Sequence, residues 1–101
     1  MIWTTKFLPE AEVDLQKLDG SQSRKVTKVI QRTEKNPLPR SMGGYGIELG
    51  NKGGVNLTNC LEIKLRGEGL RVIYKLIQTE TEMLIVKVYY DASERIARYR
   101  L

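Results

Sequence analysis

The spacing of apolar residues changes near residue 60, from the three-to-four rhythm of helices to strict alternation. Residues 2–7, IWTTKF, are β-branched and aromatic and predict a short strand. Pro9 suits a first helical position, with Glu10, Glu12 and Asp14 near the positive end of the helix dipole and Ala11, Leu15 and Leu18 as the buried stripe. Asp19-Gly20 ends that helix, and Ser21 or Ser23 caps the next. Val26, Val29, Ile30 and Thr33 follow the i, i+3, i+4, i+7 pattern, while the opposite face carries Arg24, Lys25, Lys28, Arg32 and Lys35. Asn36-Pro37 and Pro39 stop this second helix, giving an αα-hairpin.

Residues 37–56 read as a flexible connection rich in glycine. They are no phosphate cradle, because neither a Gly-Lys-Ser/Thr ending nor a helix follows the glycines. From Leu61 onward Leu61, Ile63 and Leu65 alternate with Glu62, Lys64 and Arg66. Gly67-Glu68-Gly69 turns the chain into a second alternating run, Leu70 to Ile77. A third strand runs from Met83 to about Tyr90, and Asp91 or Ser93 caps a short helix from Ala92 to Arg100.

The order β-α-α-β-β-β-α predicts one α+β domain over residues 1–101, with an N-terminal strand, an αα-hairpin, a three-stranded antiparallel meander and a short C-terminal helix. Leu61, Ile63, Leu65, Val72, Tyr74, Leu76, Leu84, Val86 and Val88 are expected to face the helices. Glu62, Lys64, Arg66, Arg71, Lys75, Lys87 and Tyr89 are expected to share the open face. One carboxylate among five cations is more than a wet sheet face requires, since like charges opposite each other cost about 0.2–1 kcal/mol per pair. A polyanion or an acidic partner offsets that cost.

Composition narrows the chemistry. The net charge of +5 favours nucleic acid or an acidic protein as partner. The cations are spread along the chain, so only the fold decides whether they form a patch. There is no histidine, which removes Ser-His-Asp and Cys-His catalysis and His-ligated metal sites. Cys60 is the only cysteine and reads as a small buried hydrophobe. No apolar run approaches the roughly 20 residues that span a bilayer, and MIWTTKFLPE lacks a signal-peptide core, so a cytoplasmic protein without membrane contact is expected.

The run FLPEAEVDLQKL, the basic second helix and above all the hairpin IKLRGEGLRVIYKLI (Ile63 to Ile77) resemble the RelE/ParE superfamily of bacterial type II toxins over nearly the whole chain. The resemblance implies the toxin of a toxin–antitoxin system, with the RelE-like mRNA interferase branch favoured. Such a toxin is a ribosome-dependent RNA endonuclease, uses no metal or organic cofactor, and is neutralised by an acidic antitoxin. The alternatives are a ParE-like toxin that binds DNA gyrase and a degenerate, inactive toxin.

In that pattern Lys64 and Arg71 match basic positions used in cleavage, Lys64 as general base or charge stabiliser and Arg71 as phosphate clamp. Arginine grips phosphate oxygens bidentately, and a lysine among cations is a usable base. Glu62 stands where the pattern is basic; it is either an ion-pair partner for Lys64 or Arg66, or itself the base. Tyr89 stacks on a base or serves as the acid. Arg66, Lys75, Lys87, Arg95, Lys28 and Arg32 are the remaining RNA-binding candidates. At the end of the last strand the pattern's arginine is replaced by Tyr90-Asp91. Arg95 and Tyr99 supply the missing residue types at shifted positions, and Tyr90 and Tyr99 also suit packing against the terminal helix.

Overall fold

The computed structural model describes residues 2–49, 51, 52, 55, 56 and 59–90. The expected C-terminal helix, with Arg95 and Tyr99, lies outside the described residues.

Strand β1 (Thr4–Phe7) leads into α1 (Pro9–Gln16), with Pro9 in the first turn and Ala11 fully buried. Helix α2 (Gly20–Glu34) buries Val26, Ile30 and Thr33. Its cap is Asp19, whose carboxylate accepts from the Gln22 amide at 2.8 Å, and neither Ser21 nor Ser23 is needed. The Asp-Gly pair thus starts the second helix; the first, expected to run up to it, ends earlier, at Gln16 with Lys17 as its C-cap.

The meander is β5 (Cys60–Leu65), β6 (Leu70–Ile77) and β7 (Glu82–Tyr90). Two short strands extend it. β1 pairs in parallel with β7, and β2 (Ile47–Glu48) pairs antiparallel with β5, giving the order β1-β7-β6-β5-β2. A small hairpin of β3 (Asn51–Lys52) and β4 (Val55–Asn56) stands apart from this sheet. The α+β class and the meander match the sequence expectation; β2 was hidden because two residues carry no period.

The core forms where α1 and α2 cover Leu61, Ile63, Leu65, Val72 and Tyr74, as expected, and Leu70 joins them. On β7 the expected inner face is wrong. Met83 and Ile85 are fully buried, whereas Leu84 and Val86 are half-buried. The cause is a bulge: Ile73 pairs with Lys87, but the next residue, Tyr74, pairs with Ile85. The extra residue moves the core positions from odd to even numbers, so that Val88 is again inward.

The segment before β2 is tightly bonded. The Tyr74 hydroxyl donates to the Pro37 carbonyl at 2.8 Å, and Arg40 N–H donates to the Gly46 carbonyl at 2.8 Å. A Cβ on Gly44 would stand 2.0 Å from the Leu38 carbonyl oxygen, and one on Gly46 would stand 2.3 Å from the Tyr74 hydroxyl. These glycines permit close packing of a fixed loop. Among the described residues no helix is long and apolar enough to cross a membrane.

Candidate functional site

Strand register brings the expected catalytic residues together. Lys64 on β5 lies opposite Arg71 on β6, and Arg71 lies opposite Tyr89 on β7. Glu62, two residues before Lys64, therefore shares this sheet face and sits diagonally from Arg71.

Two members of the group are not in water. Glu62 is 3% exposed and Arg71 is 4% exposed. Arg71 Nε lies 3.1 Å from Glu62 Oε1, and Arg71 Nη1 donates to its neighbour Leu70's carbonyl at 3.2 Å. The expected partners of Glu62 were Lys64 or Arg66, but its carboxylate goes to Arg71. The arrangement answers the like-charge problem: Lys64 faces Arg71 directly, and the diagonal carboxylate balances the more buried cation. Arg71 was expected to project outward; it is instead part of a buried ion pair. Glu62 Oε2 is buried and has no hydrogen-bond partner among the described residues. A carboxylate oxygen in that state has room for a further hydrogen-bond donor.

Lys64 is half-buried and opens onto a groove of about 160 Å³ along the outer edge of β5. Its walls include Arg32 of α2, Arg66, Glu62, Arg40 and Tyr45. One turn before Arg32 on α2, Lys28 lines an adjoining recess of about 350 Å³ with Lys25, Val29, Leu65 and Arg66. There Lys25 pairs with Glu68 at 2.5 Å. The second helix and the meander thus join Lys28, Arg32, Lys64 and Arg66 into one basic flank.

Lys75 and Lys87 stand apart from it. Lys75 is exposed four residues beyond Arg71 on β6, in register with Cys60 and Leu84. Lys87 reaches α1, with its amine 2.8 Å from Glu10 Oε1 and 3.6 Å from Asp14 Oδ1. The hydrogen bond to Glu10, with added attraction from Asp14, raises its pKa above the usual lysine value. Asp14 Oδ2 also accepts from the Val88 amide at 3.1 Å, so this cluster fastens α1 to the edge of β7.

Sequence reasoning missed Arg40 and Tyr45, which lie in the segment read as a flexible connection. An arginine and a tyrosine among closely packed glycines were the available signal. Among the described residues no three His, Cys, Asp or Glu side chains gather as metal ligands. The site offers positive charge, a fixed carboxylate and aromatic hydroxyls, a set suited to holding and attacking a phosphodiester.

No protein-family model and no curated protein matches the sequence. Solved structures do match. The RelBE2 toxin–antitoxin complex of Mycobacterium tuberculosis contains a chain similar to this one at 21% identity and TM-score 0.72, covering 90% of this chain and 100% of that one. The isolated RelE toxin of E. coli matches at 17% identity and TM-score 0.69, covering 98% and 99%. The archaeal RelE–RelB complex of Pyrococcus horikoshii matches at 22% identity and TM-score 0.62, covering 89% and 96%. With the helical pair, the meander and the end-to-end coverage in agreement, this chain has the RelE fold.

Proposed function

We propose that this chain is the toxin of a toxin–antitoxin pair and acts in the cytoplasm as a ribosome-dependent mRNA endonuclease that needs no metal. The observation that carries the reading is the Lys64–Arg71–Tyr89 row with Glu62 beside it. RNA cleavage by its own 2′-hydroxyl asks for a base, an acid and positive charge facing the phosphorane. The 2′-oxygen attacks the adjacent phosphorus while its proton passes to the Glu62 carboxylate in the groove wall, whose Oε2 lacks a partner among the described residues. The bond from phosphorus to the 5′-oxygen breaks, and Tyr89 delivers the proton that this oxygen takes up. The products are a 2′,3′-cyclic phosphate and a 5′-hydroxyl. Lys64 stabilises the phosphorane charge. Arg71, engaged with Glu62, positions the carboxylate, a role different from the phosphate clamp expected of it.

Two of the fold relatives are solved with RelB antitoxins, which supports an antitoxin as partner here. The chain's net charge of +5 suits an acidic one. A non-cleaving toxin that binds DNA gyrase is the second reading, favoured by one feature: Arg71 is paired with a carboxylate and not presented to solvent.

Purified protein added to ribosomes stalled on a defined codon decides between them. Primer extension is expected to show a new 5′ end within the A-site codon. Intact mRNA together with inhibited gyrase supercoiling would establish the second reading, and intact mRNA with active gyrase would remove both.

A further inference from the structure

The loop that closes the β5 groove holds an aromatic ring in water. Tyr45 is 54% exposed, although its backbone is fixed: its amide donates to the Asn36 carbonyl at 3.1 Å, and the next amide, of Gly46, donates to the Leu38 carbonyl at 3.1 Å. The Asn36 side chain bonds the Gly43 carbonyl at 3.2 Å, and Gly44 has no room for a Cβ. A rigid loop therefore presents the ring. A lone exposed tyrosine would mean little, but this one shares its groove with Arg32, Arg40, Lys64 and Arg66. Among the described residues the one carboxylate lining the groove is that of Glu62, already bonded to Arg71.

The groove's size, about 160 Å³, is close to the ~150 Å³ that accommodates a single benzene ring. It is too small for a peptide helix. One flat ring with an attached anion matches both the aromatic and the cations, and a nucleotide of a single strand is such a ligand. Base-on-aromatic stacking tolerates any base, and arginine supports it through phosphate contact.

We propose that this groove is a single-nucleotide subsite: Tyr45 stacks on a base of the bound RNA, and Arg40 and Arg32 hold the phosphate beside it. The proposal rests on the RNA-cleaving reading of the neighbouring Lys64–Arg71–Tyr89 row. It adds Tyr45 and Arg40 as binding residues, placing one nucleotide next to the scissile bond and so fixing where the strand is cut.

The test is fluorescence anisotropy of a labelled ten-nucleotide RNA carrying 2′-O-methyl groups, which cannot be cleaved, titrated with the full chain. Tyr45→Ala is expected to weaken binding about 5- to 150-fold, Tyr45→Phe to bind like the wild type, and Arg40→Gln to reduce the slope of log affinity against log salt by about 0.7. Unfolding of Tyr45→Ala, followed by Trp3 fluorescence, should be unchanged because the side chain is exposed. Equal binding by Tyr45→Ala would overturn the subsite, as would a Tyr45→Phe loss as large as that of alanine. Wild-type chain that ignores the RNA and captures only an acidic peptide would also overturn it. The ribosome assay separates the two levels: intact A-site cutting alongside any of those results removes the subsite alone, and absent cutting removes the underlying reading too.

Discussion

Replacing Arg71 with alanine should destabilise the fold heavily, although the residue lies on a sheet face that reads from sequence as open. Arg71 is 4% exposed and its Nε is 3.1 Å from Glu62, itself 3% exposed. The substitution leaves a carboxylate buried among apolar strands with one oxygen already lacking a partner among the described residues. Breaking a buried pair from one side costs about 3–5 kcal/mol, against a total of roughly 5–15 kcal/mol for a domain. At about 4 °C per kcal/mol for a chain near this length, the melting temperature should fall by roughly 12–20 °C. Trp3 is the only tryptophan and is 7% exposed, so its fluorescence reports unfolding directly. Urea titrations should show the midpoint lowered for Arg71→Ala and largely restored for the double variant Glu62→Leu/Arg71→Met, because apolar replacement of both partners removes the stranded charge. A loss below about 1 kcal/mol for Arg71→Ala would refute the buried pair, since that is the size of an exposed ion pair.

Burial of Tyr74 disfavours its phenolate and pushes its pKa well above the usual tyrosine value of 10.0. The folded state therefore keeps a proton that the unfolded chain releases above pH 10, so the stability is whole below that pH. It should fall by about 1.4 kcal/mol per pH unit above it; Tyr74→Phe should lack this dependence in alkaline unfolding curves. Removing the cap with Asp19→Ala should cost about 1 kcal/mol in a urea titration, while Ser21→Ala and Ser23→Ala should cost little. Gly46→Ala should unfold the domain or halve its soluble yield, because a Cβ there would stand 2.3 Å from the Tyr74 hydroxyl; a circular-dichroism melt like the wild type's would contradict that packing. Lys87→Met should lower stability at neutral pH, but the wild-type ion pair with Glu10 should weaken only as pH rises past the ordinary lysine value of 10.5, because the fold raises the Lys87 pKa.

Much of this was written in local pattern. Helix periodicity located Ala11, Val26, Ile30 and Thr33, and alternation located the inner faces of β5 and β6, because each pattern repeats over several turns or pairs. On β7 one inserted residue at the bulge inverted the face assignment, and no single-strand pattern records an insertion relative to a partner. The grouping of Glu62, Lys64, Arg71 and Tyr89 was legible because it follows from strand register alone. Their burial was not: alternation says which side a residue takes but not how deeply that side is covered. Arg40 and Tyr45 were illegible for another reason, since their loop is ordered by contacts to Leu38 and Tyr74, which are remote in pattern though close in space.

Cutting of mRNA by the Lys64–Arg71–Tyr89 row, as proposed, is measured by primer extension on programmed ribosomes with wild-type protein, Lys64→Ala and Lys75→Ala. Lys64 is half-buried beside the groove and Lys75 is an exposed cation four residues beyond Arg71, so both variants lose one charge but only one loses the site. We predict A-site cutting by the wild type, a loss of about 100-fold or more for Lys64→Ala, and near wild-type cutting for Lys75→Ala. Equal cutting by all three proteins, or none by the wild type, would contradict the account.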